Sequence, residues 1–203
     1  MCTLQRVINL LKNVNTSIRT YVVCLILSSG RKNCAEMARS VGISSKPLYT
    51  YLSNAGVHSR EIEDILFSYA KETRIEGIKR TLVLDPTAII KRYARSIENL
   101  CRDRDGCTRH VEQVLVPVYA SVVDENVKIP LCLDFWVQEK VIGKKRYKSK
   151  VQITQKLIAY LKHKRLEFDF ISLDGAFPTP DMFAFLKANG LKFIIRIPKS
   201  RCI

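Results

Sequence analysis

Apolar positions along the chain change their period near residue 77. Before that point Leu4, Val7, Ile8, Leu10, Leu11 and Val14 recur at helical spacing, and Tyr21 to Leu27 is apolar nearly all round. Residues 3–28 therefore read as helix in two pieces, parted near 13–16, with the second piece buried among other helices. A further amphipathic helix runs from Ser59 to Ile75, with Ser59 as its cap and Glu61, Glu63 and Asp64 in its early turns. Beyond it, short apolar runs bounded by turn residues take over. Thr81–Leu84, Val114–Val123, Val127–Val137, Phe168–Leu173 and Lys192–Ile197 read as strands. The second and third form a hairpin around Asp124-Glu125-Asn126, with Pro117 and Pro130 marking bulges or edges. Ala88–Leu100 has a helix-like pattern, and CRDRDGC, residues 101–107, is a charged loop. Helices follow over 150–164, with Val151, Ile153, Leu157, Ile158 and Leu161 inward, and over 180–188, ended by Asn189-Gly190. The pattern predicts an α+β chain: a helical domain over 1–76, a polar boundary at 73–80, and an α/β domain with a mixed sheet over 77–203.

Within the helical part, residues 34–54 carry a spacing of their own. Ala38 precedes Gly42 by four residues and Leu48 follows it by six. A small residue where two helices touch, a glycine in the turn and an apolar residue seating the second helix resemble a helix-turn-helix DNA-binding unit. Ser44 or Ser45 would cap the second helix, with Pro47 tolerated in its first turn. Ser45, Lys46, Tyr49 and Thr50 would then face the major groove. A hairpin that only packs has the same spacing.

Two of the strands end in an acid. Asp174 closes the run FDFISL, and the helix after it has its own start in Thr179, Pro180 and Asp181, so Asp174 is not needed as a cap. Asp85 closes TLVL, but Asp85-Pro86 also suits a helix cap, and taken alone the capping reading leads. Together the acids suggest neighbouring strands that share a carboxylate pair at their carboxyl ends, where open α/β sheets bind ligands. Hard divalent cations take such oxygen ligands together with substrate phosphates.

Charge names the partner. The net charge is +15 with a pI of about 9.7, which points to a polyanion such as nucleic acid. The excess is +4 over residues 1–76 and +11 over 77–203. From Lys140 to Arg165 there are ten Lys or Arg and no acid, and Lys144, Lys145, Arg146, Lys148 and Lys150 are its densest part. Seven irregularly spaced cysteines without a secretory signal read as reduced thiols of a cytoplasmic, nucleoid-associated protein. Cys101, Cys107 and His110 match no standard zinc spacing. The run Tyr21–Leu27 is too short to span a membrane.

The order strand, hairpin, helix, strand, helix, strand, with acids closing the first and fourth strands, resembles the ribonuclease-H-like fold. Asp85-Pro86-Thr87, Ile129-Pro130-Leu131 and Ser172-Leu173-Asp174-Gly175-Ala176-Phe177 are similar to motifs of bacterial insertion-sequence transposases of the DDE superfamily. The similarity covers about residues 80–200, and the helix-turn-helix suits the same family. The resemblance implies catalytic, metal-binding roles for Asp85 and Asp174, Mg2+ or Mn2+ as cofactor, and element-end double-stranded DNA as partner. It implies phosphodiester cleavage and strand transfer as the reaction, and it leaves a homodimer open. The family's third acid is a glutamate on a later helix; after Asp174 this sequence has only Asp181. The expectation is therefore a transposase truncated before its third acid, with an incomplete catalytic domain and little strand transfer by this chain alone. A DNA-binding regulator without catalysis and a ribonuclease-H-like nuclease are the alternatives. The nuclease needs an acid on the helix over 150–164, which has none.

Overall fold

The computed structural model describes residues 16–27, 33–53, 55–94, 97–104 and 110–197, and their side chains except those of 17, 26 and 55–60. The first expected helical piece, over 3–13, lies outside them, as do Cys2, Cys107 and Cys202. The chain divides into two units, residues 1–69 and 70–203.

The first unit is helical: α1 (Thr16–Leu27), α2 (Cys34–Val41), α3 (Lys46–Ser53) and most of α4 (Ala55–Glu72). Cys24, Cys34, Met37, Ala38 and Leu48 form one core cluster, with Tyr21 and Val41 against it. Ile18 and Tyr51 form a second, joined by Ile62 and Ile65 of α4. Two expectations are corrected here. Helix α1 is buried on one side only, since Leu25 and Leu27 are exposed. Helix α4 begins at Ala55, so Ser59 lies inside it rather than capping it; a single cap residue is a weaker signal than a continuing apolar period.

The second unit is built on β4 (Val111–Val123), which serves two groups of partners. Its residues 118–123 pair antiparallel with β1 (Thr81–Pro86), and its residues 116–123 pair antiparallel with β5 (Lys128–Trp136). β1 then pairs parallel with β6 (Phe170–Leu173), and β6 with β7 (Phe193–Ile195). The order β5-β4-β1-β6-β7 is the mixed sheet expected. A register shift between Ala120 and Ser121, opposite Pro130, is the bulge that proline predicted. One face of the sheet is fully buried: Leu82, Leu84, Val118, Ala120, Val122, Ile171 and Leu173 are at most 3% exposed. Alternation along each strand puts these side chains together, toward α6 (Lys150–His163) and α7 (Pro180–Ala188). Helix α6 offers Ile153, Leu157, Ile158 and Leu161. Helix α7 offers Met182 and Leu186, and Phe183 packs on Phe193 with ring centroids 5.8 Å apart.

The segment after β1 departs from the sequence reading. Among its described residues Ala88–Leu100 holds no helix; Ile89–Ile90 is a two-residue strand, β2, and Cys101–Arg104, expected as loop, is β3. Both pair with the first part of β4, β2 at Leu115 and Val114, β3 from Val114 to Val111. The helical pattern lost to tertiary pairing: Ala88, the β-branched Ile90 and the buried Cys101 complete a small core with Val114, Val116 and Trp136.

The boundary between units falls seven residues before the expected 76/77. Within the second unit Arg80, 1% exposed, reaches back with its guanidinium to the last turn of α4. Nη1 donates to the Ala70 carbonyl and Nη2 to that of Thr73 at 3.0 Å. Nε and Nη2 also clasp Asp124 Oδ2 at 2.9 and 2.7 Å, while Asp124 Oδ1 accepts the N–H groups of Asn126 and Val127 in the hairpin turn. Burial alone would raise the Asp124 carboxyl, but the Asn126 N–H, Arg80 and the Val127 N–H outweigh it and hold it below 3.8. Asp169, beside the start of β6, is held low first by the N–H of Arg80 and, against some burial, by Arg74 and Lys79. Both carboxyls are depressed in the folded state. Their stabilisation is complete above the unfolded value near 3.8 and is lost as pH falls through the lower folded values. Thermal melts should therefore hold steady from pH 7 to 5 and drop between pH 4 and 3, and Asp169→Asn should flatten that drop. An unchanged melting temperature at pH 3 would refute the linkage.

Candidate functional site

Leu84 of β1 lies opposite Leu173 of β6, and both are buried. Asp85 is the next residue of β1 and Asp174 the first residue after β6, so the parallel register brings both to the same end of neighbouring strands. Alternation turns both away from the buried face, and both are exposed. Asp174 precedes a tight turn in which its carbonyl accepts the Phe177 N–H at 3.1 Å, and the fully buried Phe177 anchors that turn. Helix α7 is capped by Thr179, whose hydroxyl accepts the Met182 N–H, with Pro180 at its first position. Asp174 is thus free of capping, as expected.

The capping alternative for Asp85 does not hold in the structure. β1 continues through Pro86 and no helix follows. Asp85 Oδ2 accepts instead from the Thr87 hydroxyl at 3.0 Å, and the Thr87 N–H donates to the Pro117 carbonyl at 3.0 Å, fixing the strand end. Asp174 has no side-chain hydrogen bond or ion pair among the described residues. Two adjacent carboxylates without a protein cation between them suit a divalent cation, whose charge would remove their repulsion. Among the described residues no group of three His, Cys, Asp or Glu forms a metal cluster. Asp134, at the corresponding end of β5, is engaged by Lys156 Nζ at 2.7 Å. Cys101 is buried, its thiol donates to the Val114 carbonyl, and burial pushes it up.

The basic stretch lies at the same end of the sheet as the acids. β5 is parallel to β1, because each is antiparallel to β4, so the segment leaving Trp136 starts at the carboxyl-end rim. It contains α5 (Glu139–Ile142), a turn at Gly143, and the exposed Lys144, Lys145, Arg146 and Lys148. It then enters α6 through a capping box of Ser149 and Gln152. Lys150 is engaged within the chain: Nζ is 3.4 Å from Asp103 Oδ2 and 4.4 Å above the Trp136 ring. In the helical unit, Gly42 (φ 74°) ends α2 in the left-handed region. Ser44 Oγ accepts the Lys46 N–H at 3.3 Å at the start of α3. Ala38 and Leu48 are buried as the spacing predicted, Ser45 is half-buried, and Lys46, Tyr49 and Thr50 are exposed.

The sheet thus carries an acid at the end of each of two neighbouring parallel strands, and the family of the chain follows from its sequence as a whole. The chain belongs to the DDE superfamily endonucleases, whose family pattern matches residues 9–203. Among solved structures it is similar to the Drosophila P element transposase strand transfer complex, at 13% identity and a TM-score of 0.45, over 93% of this chain and 43% of that one. It is also similar to the foamy viral protease-reverse transcriptase in complex with dsDNA, at 12% identity and a TM-score of 0.30, over 91% and 42%. The chain thus spans less than half the length of either. No curated protein matches it significantly. No helix among the described residues is long and apolar enough to cross a membrane.

Proposed function

We propose that the chain is a DNA transposase, or the part of one, that binds element-end DNA and acts on its phosphodiesters with Mg2+ or Mn2+. The observation that carries this reading is the placement of Asp85 and Asp174 at the carboxyl ends of β1 and β6. Asp85, oriented by the Thr87 hydroxyl, and the unengaged Asp174 would hold the cation. Such a cation polarises a phosphodiester and lowers the pKa of a bound water. Lys144, Lys145, Arg146 and Lys148 would hold the DNA backbone at the same rim, while Lys150 braces that rim through Asp103 and Trp136. Helices α2 and α3 would act as a helix-turn-helix, with Ser45, Lys46, Tyr49 and Thr50 at base edges and phosphates. The two domains of this reading are the helical DNA-binding part and the catalytic part, and a homodimer that pairs two element ends belongs to it.

The second reading, a DNA-binding regulator with no catalysis, is favoured by the lack of a third acid beside the pair among the described residues. Mn2+ titration of the full chain on a 20-base-pair duplex separates the two. Asp85→Asn and Asp174→Asn should each weaken Mn2+ binding at least ten-fold, about 1.4 kcal/mol or more, and leave duplex affinity in EDTA unchanged. Equal Mn2+ affinity in wild type and both variants would sink the metal site and leave the regulator.

A further inference from the structure

We propose that the extension formed by β2, β3 and the first part of β4 is a second DNA-binding surface. It would grip the duplex about six base pairs to one side of the reacting phosphate, through Lys91 and Tyr93, beside an Arg92 braced on Glu112. The proposal rests on the acid-pair site above. β4 supplies the ruler. Tyr119 pairs with Asp85, and the Gln113 carbonyl accepts the N–H of Lys91, so six residues of one strand separate the acid from the basic turn. At about 3.3 Å per residue that is roughly 20 Å, or about six base pairs at 3.4 Å each.

The extension is tied down rather than loose. β2 and β3 flank β4 on both sides, and Ala88, Ile90 and Trp136 pack on Cys101, Val114 and Val116. Gln138 Nε2 donates to the Arg102 carbonyl, and Lys150 clamps Asp103. A surface held at a fixed distance from the acids sets a fixed contact along a stiff duplex.

Its chemistry suits a phosphate backbone. Tyr93 is 95% exposed, more than any other large hydrophobic side chain described, and so serves no packing role here. It follows Lys91 and Arg92 directly, and Lys, Arg and Tyr are all phosphate-bonding side chains. The acids of the paired strands are neutralised within the chain, Glu112 by Arg92 at 3.2 Å and Asp103 by Lys150. Lys91 and the exposed Arg102 have no acidic partner among the described residues. Glu98, in the connection from β2 to β3, is the acid that opposes this charge.

The test places a benzophenone amino acid at position 93 of the full chain and photo-crosslinks it to an end-labelled 40-base-pair duplex. The crosslinked complex is then given Fe2+, hydrogen peroxide and ascorbate; bound Fe2+ cleaves the peroxide to hydroxyl radicals wherever the acid pair holds iron, and ascorbate reduces the Fe3+ formed. Cuts centred about six nucleotides from the crosslinked nucleotide are the expected result, and Asp174→Asn should remove the cuts but keep the crosslink. Absence of a crosslink while the duplex is still bound, or cuts more than ten base pairs away, would overturn the proposal. A crosslink without any cut supports the surface and overturns the acid-pair reading instead. Lys91→Ala with Tyr93→Ala should weaken duplex binding about ten-fold at an unchanged melting temperature; equal affinity would count against the surface.

Discussion

Asp124→Ala should destabilise the second unit by about 3–5 kcal/mol, the usual cost of stripping one partner from a buried ion pair. The Arg80 and Asp124 side chains are 1% and 4% exposed, so the charge left behind cannot recover its solvation by moving into water. Asp124 also accepts the N–H groups of Asn126 and Val127, so the β4–β5 turn loses two hydrogen bonds in the same substitution. Arg80→Leu should cost a similar amount, since it strands Asp124 and takes the guanidinium donors from the Ala70 and Thr73 carbonyls. The pair replaced together by leucines should recover much of the loss, because no unpaired charge remains. Urea denaturation of the three variants gives the answer. A loss below about 1 kcal/mol for Asp124→Ala would mean that the pair is solvated in solution.

Neutralising Lys144, Lys145, Arg146 and Lys148 together to alanine should weaken duplex binding on the order of a thousand-fold at 0.1 M salt. Each phosphate contact adds about 0.9 to the slope of log affinity against log salt. At that salt each contact is worth about eight-fold, and four together a few thousand-fold. All four side chains are exposed and none belongs to the core, so the melting temperature should not move. Fluorescence anisotropy from 50 to 300 mM salt reads both quantities. A slope reduced by about three to four units confirms backbone contact at the rim. An unchanged slope would assign DNA binding to other parts of the chain.

The central sheet and both acids were legible in the sequence because their signals are local and agree with each other. TLVL and FISL are apolar runs of strand length, each stopped by an acid, and the start of α7 freed Asp174 from a capping role before any geometry was known. Asp85 was ambiguous for a physical reason: Asp-Pro closes strands and opens helices with the same two residues. Only the continued pairing of Pro86 with Val118 decides between them. The extension was not legible. Ile89-Ile90 is too short for a period, and CRDR looks like a charged loop because its alternation shows only once β4 buries Cys101. Nor was Arg80, whose partners at 70, 73 and 124 are brought together by the fold alone.

The parallel pairing of β1 with β6 has a consequence for how the chain is made. Thr81 meets Phe170, 89 residues later. At 5–20 residues per second, a ribosome needs about five to twenty seconds to deliver that partner. Through this interval one edge of a strongly apolar strand stays open to other nascent chains. Asp85 and Pro86, at the strand's end, are the residue types that guard such edges against aggregation. Replacing Asp85 with a neutral residue to disable the site should therefore also lower soluble yield during expression.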